Sequence, residues 1–378
     1  MIMRGQDWLK KFSSKQIFLC TFLFTLPIFY LRGKDYSVHL FGDDAEFVSH
    51  ALQRVPTLGF FSSWDSWGLL DPFNGYLAVY LRLITRLILL TGSENFTAQT
   101  FWVMTFYWSV ISGFIAYVMR RFTGAPVGWA AGFVLAVMPY SNRVMLAQAN
   151  TVAWPACLLT LIVVGTREYP RHWFTRLAVL ILFAGTAAST PTTIVTVAIL
   201  GLNLLRYREK RFSFEHLLFL TTGFAFFVQY LNFTPRNNPP VPLLPEILRI
   251  SFGFAPQSIR AQILQPLTPW QNFVLYAIPI VLFFCIGILI YQTFRNHREH
   301  VLVAVQFIGT GVFLAVLLTT ANGWLNSQYL FIPTALLWIG TILIGNASIK
   351  SPSWWKMVPL VTVTVVLLMG ISGTFFLI

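Results

Sequence analysis

Charge is what this sequence has least of. Only 10% of its 378 residues are Asp, Glu, Lys or Arg, against roughly 25% in a soluble globular chain. A water-soluble domain of this length is therefore excluded. Cysteine is scarce too: Cys20, Cys157 and Cys285 all lie inside apolar runs. Their spacing matches no disulfide framework, zinc site or redox motif, and they read as small buried apolar residues. The sequence has no P-loop, no GxGxxG and no HExxH, which argues against nucleotide hydrolysis and metalloprotease chemistry. Neither a regular repeat nor a low-complexity tract occurs. The formal net charge is +13, yet no separate basic domain carries it. The cations sit in short clusters between apolar runs, so a nucleic-acid partner is not expected.

What is present is hydrophobicity, at 56% of the chain, with 36 Phe, 13 Trp and 13 Tyr. Runs of close to 20 apolar residues recur from end to end, the length that crosses a bilayer core. Eleven stretches qualify or nearly so: 15–31, 98–119, 126–141, 150–166, 173–188, 191–205, 214–232, 271–293, 301–320, 328–346 and 357–378. The expectation is an all-α polytopic membrane protein, residues 1–378 forming a single transmembrane domain of about eleven helices. Stretches 173–188 and 191–205 are short and meet at Ser189-Thr190-Pro191-Thr192, so one long broken helix is an alternative. Met1–Ser14 is polar and basic before the first run. No A-x-A-like site follows that run, so an uncleaved first span is expected rather than a signal peptide.

Orientation follows from the cations. With a cytoplasmic N-terminus and alternating spans, seventeen of the 26 Lys+Arg fall on the cytoplasmic side. Among them are Arg120-Arg121, Arg167, Arg171 and Arg176, and the set Arg206, Arg208, Lys210 and Arg211. Each cytoplasmic segment then carries at least two, as the positive-inside rule requires. Gly75–Thr91 is apolar enough to resemble a span, but counting it as one would invert the later clusters. Its Arg82 and Arg86 share one helical face at i, i+4 spacing. It therefore reads as an amphipathic helix in the outer interface.

Two outer segments remain, 32–97 and the Pro-rich 234–270. Six of the 13 acidic residues fall between Gly33 and Phe73. The densest part is Phe41-Gly42-Asp43-Asp44-Ala45-Glu46-Phe47-Val48-Ser49-His50. One Asp can cap the following helix. A second one, partly shielded from water, can act as a base. Glu46 and His50 lie one turn apart and can pair or bind substrate. Further on, Asp65, Asn74 and Tyr76 stand among Trp64 and Trp67, a mixture that suits sugar hydroxyls and rings as well as interfacial anchoring. Asn142-Arg143 and Gln148-Ala149-Asn150 flank the outer ends of spans three and four. Arg249 and Arg260 belong to the second outer segment. Arg82, Arg143, Arg236, Arg249 and Arg260 are the outer cations able to hold a phosphate bidentately.

The order of these parts resembles the GT-C superfamily of membrane glycosyltransferases: a first span, a large outer loop opening with an acidic pair, two interfacial helices, then a second span. Asp43-Asp44 sits where the family's acidic pair stands, with Asp44 in place of the more frequent Glu. Phe73-Asn74-Gly75-Tyr76-Leu77 followed by Arg82 is similar to a pattern in bacterial members. The resemblance implies a GT-C-like first outer loop with two interfacial helices. It also implies a sugar donor on a polyprenyl phosphate, and a glycan, lipid or protein acceptor. Asp43 or Asp44 would be the base, and Glu46, His50, Asp65, Asn74, Tyr76, Arg82, Arg143, Asn150, Arg249 and Arg260 would bind substrate. No protein-bound metal is expected from the residues. A diphosphate donor would bring a divalent cation, Mg or Mn, and a monophosphate donor none. The implied location is a bacterial inner membrane, with membrane lipids around the chain and the active site on the periplasmic face. Competing readings are a lipid-linked glycan flippase or transporter, an O-antigen polymerase or ligase leaning on outer-loop Arg, and a non-catalytic scaffold.

Overall fold

A computed structural model describes residues 12–34, 72–73, 76–90, 96–138, 151–207, 212–232, 269–322, 330–349 and 358–365. The helices in order are α1 (Ser14–Gly33), α2 (Val79–Leu90), α3 (Phe96–Phe122), α4 (Ala125–Val137), α5 (Ala153–Thr166), α6 (Trp173–Ala187), α7 (Ile194–Tyr207), α8 (Phe214–Leu231), α9 (Pro269–Thr293), α10 (Arg298–Asn322) and α11 (Phe331–Ile349). Residues 358–365 are also helical. Among the described residues, one antiparallel pair, β1 (Pro72–Phe73) with β2 (Tyr76–Leu77), precedes α2. The sequence between them is Asn-Gly, the dipeptide that most favours a two-residue hairpin.

Apart from that two-residue pair, the described residues outside loops are helical, and their long apolar helices mark a membrane protein. Among the described residues, five helices (α1, α3, α8, α10, α11) are long and apolar enough to cross a bilayer, or six if the bent pair α6–α7 is one span. α2 has 12 residues, about 18 Å of rise against a core of about 30 Å, so it cannot cross. α4 and α5 are apolar but short, with 13 and 14 residues.

Local signals set the helix ends. Ser13 and Gln16 form a reciprocal capping box at the start of α1, with Ser13 N–H donating to Gln16 Oε1 at 2.8 Å and Gln16 N–H to Ser13 Oγ at 3.3 Å. Ser213 and His216 do the same for α8. Gly124, at φ 135°, turns the chain from α3 into α4, a backbone state that costs glycine little.

The fold divides into two compact units. The first takes the start of α1, the end of α3, and α4 and α9–α11. Its centre is α11, buried on nearly every face between α4, α9 and α10. Small residues let these helices approach. A Cβ added at Gly132 of α4 would lie 2.6 Å from Ala116 Cβ and 2.7 Å from Thr21 Cγ2, and one at Gly340 of α11 would lie 2.9 Å from Ala304 O. Membrane helices lack a hydrophobic drive toward one another, so backbone proximity of this kind supplies much of their association.

The second unit holds α2, β1–β2, the rest of α1 and α3, and α5–α8. α5 is buried along its whole length and packs against α6 and α7. On α8, Leu220, Phe224, Phe227 and Leu231 are exposed at i, i+4, i+7 and i+11, one continuous apolar stripe. A water-facing protein would not tolerate that stripe; lipid chains would cover it.

α6 and α7 meet at a bend of 119°. With 15 and 14 residues, each rises only about 21–23 Å. The bend lies at residues 188–193, where Pro191 opens a 3-10 turn. The two apolar runs thus meet as a sharply bent helix pair.

The close approach at Gly132 generates a prediction. Gly132→Val should destabilise the detergent-solubilised protein by about 1–3 kcal/mol, as overpacking does. Gly223→Ala, where nothing lies within 4 Å of an added Cβ, should be neutral or slightly stabilising. Thermal unfolding of both variants checks this, and equal melting temperatures would refute the packing argument.

Candidate functional site

The segment that carries β2 and α2 is fastened to the helices behind it by side chains from far along the chain. Gln229 of α8 is fully buried. Its amide acts as a substitute strand for Leu77, whose N–H donates to Gln229 Oε1 at 2.7 Å, while Gln229 Nε2 donates to Leu77 O at 3.4 Å. The next anchor is Ser189, at the α6–α7 bend. Its Oγ accepts from Tyr80 N–H at 3.0 Å and donates to Gly185 O at 2.6 Å. One of the orphan amides of the first turn of α2 is thereby met. Tyr80 then lays its ring on Gly185, where an added Cβ would come within 2.6 Å of the ring, and donates its hydroxyl to Leu182 O at 2.8 Å. Burial pushes the Tyr80 phenol up to about 12 against an opposing hydrogen bond from Thr186. The group therefore stays a donor at neutral pH.

Within α2, Arg82 is 2% exposed, in line with the buried residues Leu81, Thr85 and Ile88. Its helical face points into the protein. An arginine held away from water in a membrane protein is costly, and such residues usually serve a site.

Of the other candidates, Tyr76 has its backbone in β2 and its side chain is not described. Asp43, Asp44, Glu46, His50, Asp65, Asn74, Arg143, Asn150, Arg249 and Arg260 lie outside the described residues. Among the described residues no group of His, Cys, Asp and Glu is arranged to hold a metal ion.

A second polar centre was not expected from the sequence. Glu215, in the first turn of α8, is 2% exposed. Arg167 donates to its Oε2 from Nη2 at 2.7 Å and from Nε at 3.2 Å. Tyr169 donates its hydroxyl to Oε1 at 2.6 Å, and Asn203 Nδ2 donates to the same oxygen at 3.1 Å while also reaching Val164 O at 3.1 Å. Arg167 lies 3.8 Å over the Tyr207 ring. Burial alone would lower the Arg167 pKa, but the bonded carboxylate of Glu215 outweighs it and raises it. Burial and then the same carboxylate push the Tyr169 phenol far above its ordinary range. Both groups thus stay protonated donors. Four donor atoms converge on one carboxylate, which ties the loop after α5 to α7 and α8. Every acceptor position is used inside the protein, so this is a clamp rather than a reaction centre. Its sequence signal was only a Glu behind a Ser cap, which looks like an ordinary helix start.

Comparison with known proteins finds no family model and no curated protein that matches this chain.

Two expectations follow from this geometry. Gln229→Ala should leave the Leu77 amide and carbonyl without their partner, costing about 1–3 kcal/mol, and should speed hydrogen exchange at Leu77. Unchanged protection there would refute the pin. Glu215→Ala should cost toward the lower end of the about 3–5 kcal/mol of a broken buried pair, because the Arg167 side chain keeps 26% of its surface exposed. A melting temperature within error of the parent would show that the clamp does not hold these helices.

Proposed function

We propose that this protein is a membrane glycosyltransferase of GT-C type, moving a sugar from a polyprenyl-phosphate donor to an acceptor on the periplasmic face of a bacterial inner membrane. The observation that carries the reading is the acidic pair Asp43-Asp44 just beyond α1, in a chain whose acidic residues are otherwise sparse. The finer topology of about eleven spans, with an interfacial helix in the first outer loop, belongs to the same proposal.

The chemistry is specific. Asp43 takes the proton of an acceptor hydroxyl as that oxygen attacks the anomeric carbon. The new glycosidic bond forms with inversion as the carbon–oxygen bond to phosphate breaks, and the electron pair leaves on the lipid phosphate. A fixed cation stabilises that leaving group best where water is scarce. Arg82, buried on a helix pinned by Gln229 and Ser189, suits the task. Asp44 and Glu46 support or replace Asp43, while Asp65, Asn74 and Tyr76 bind sugar. Arg143, Arg249 and Arg260 serve the phosphate region, with Asn150 and His50 beside them. A diphosphate donor would add a divalent ion.

One observation favours a second reading, a lipid-linked glycan flippase or transporter. The 119° bend between α6 and α7 is a discontinuous pair of the kind that forms substrate sites in transporters. Its hydroxyls, however, bond largely to one another and to local carbonyls.

The test is transfer of labelled sugar from purified polyprenyl-phosphate donors in membranes, with and without chelator. Asp43→Asn should abolish transfer, a loss of at least about a hundredfold for a missing general base, while the protein level is kept. Full activity in that variant would move the base to Asp44. Donor translocation without transfer in the parent protein would favour the transporter.

A further inference from the structure

The Arg167 end of the second unit carries an outward surface that the clamp does not use. Arg171 and Arg176 are exposed beside Trp173 and Phe174, residues that are each 60% exposed and whose rings stack on one another. Across the same end, Arg206 is exposed and lies 5.2 Å over the ring of Tyr207. That ring also carries Arg167 at 3.8 Å, so the end of α7 packs on the loop after α5 here. Arg176 donates from Nε to Pro170 O at 3.0 Å and sits over Phe214. No carboxylate among the described residues pairs with Arg171, Arg176 or Arg206. Glu215, the buried acid of this region, is already taken by Arg167.

We propose that this surface binds the headgroup of an anionic phospholipid. Three exposed guanidinium groups without an acidic partner call for a negative ligand. The two outward rings beside them call for one that is amphiphilic, since aromatic side chains settle at the level where headgroup meets acyl chain. Leu177 and Ile181 continue the Trp173 face at i+4 and i+8 and are exposed, a path for the acyl chains. A free phosphate would satisfy the arginines and leave that apolar path unused. The surface is independent of the glycosyl-transfer reading.

The test uses the full chain in phosphatidylcholine nanodiscs containing a few mole per cent of brominated lipid. The Trp173 share of the emission is taken as the difference between the parent and Trp173→Phe. Brominated phosphatidylglycerol should quench that share more strongly than brominated phosphatidylcholine. The preference should fall roughly fivefold for each arginine removed and vanish in the triple variant R171Q/R176Q/R206Q. The matching triple lysine variant should keep it. In the parent protein, salt near 1 M should erase the preference by screening, a reading that does not depend on any variant folding. Equal quenching by the two lipids, or a preference untouched by salt, would overturn the proposal. Loss of the preference on adding inorganic phosphate would assign the surface to free phosphate instead.

Discussion

Inside a bilayer there is no water to accept a stray amide hydrogen, and every interrupted helix must settle its backbone groups within the protein. The second unit meets that constraint at residues 188–193. Pro191 has no N–H to offer, and the helix stops. The chain continues because hydroxyls take over: Thr190 pairs with Thr192, Thr193 donates to Thr186 O, and Ser189 donates to Gly185 O. Ser189 then has a lone pair left, and it gives that to Tyr80 N–H. The repair of one helix break is thus also the anchor of another helix.

The constraint explains why the anchors are polar and few. Apolar side chains gain little by leaving lipid for protein, so in this setting a buried amide or carboxylate with fixed partners gives position more reliably than bulk. Gln229 fixes β2 by offering both halves of an amide to both halves of a peptide. Glu215 fixes the other end of the same bundle by receiving a cation, a phenol and an amide at once. The carboxylate would be costly if any of these were missing, since desolvation of a lone charge exceeds what one neutral hydrogen bond returns. Between the two anchors, α5–α8 need only small contacts to stay in register.

Much of the helical layout was legible from the apolar runs, because a membrane helix announces itself by length and composition alone. The boundary at 188–193 was legible too, from the Ser-Thr-Pro-Thr cluster, although its 119° angle was not. The number of spans is less legible, since an apolar run of 13–15 residues can be buried in protein without crossing lipid. The i, i+4 pair Arg82 and Arg86 marks a polar face in the sequence. The structure turns Arg82 inward, and no sequence rule separates a buried polar face from an exposed one. Gln229 and its partner Leu77 are 152 positions apart, so their pairing has no local trace. Glu215 leaves in the sequence only the ordinary signature of an acid at a helix start.

The position of Arg82 is more telling than its charge. α2 is too short to cross and is held at its first turn by Ser189 and just before it by Gln229. Such fixation is more than a surface-lying helix requires, because an amphipathic helix floats at an interface on its apolar face alone. What it does provide is a guanidinium held at a fixed depth. A cation whose place is set before a substrate arrives stabilises developing negative charge without first having to reorganise. The pins are therefore the part of the architecture that the proposed reaction at a lipid phosphate would use.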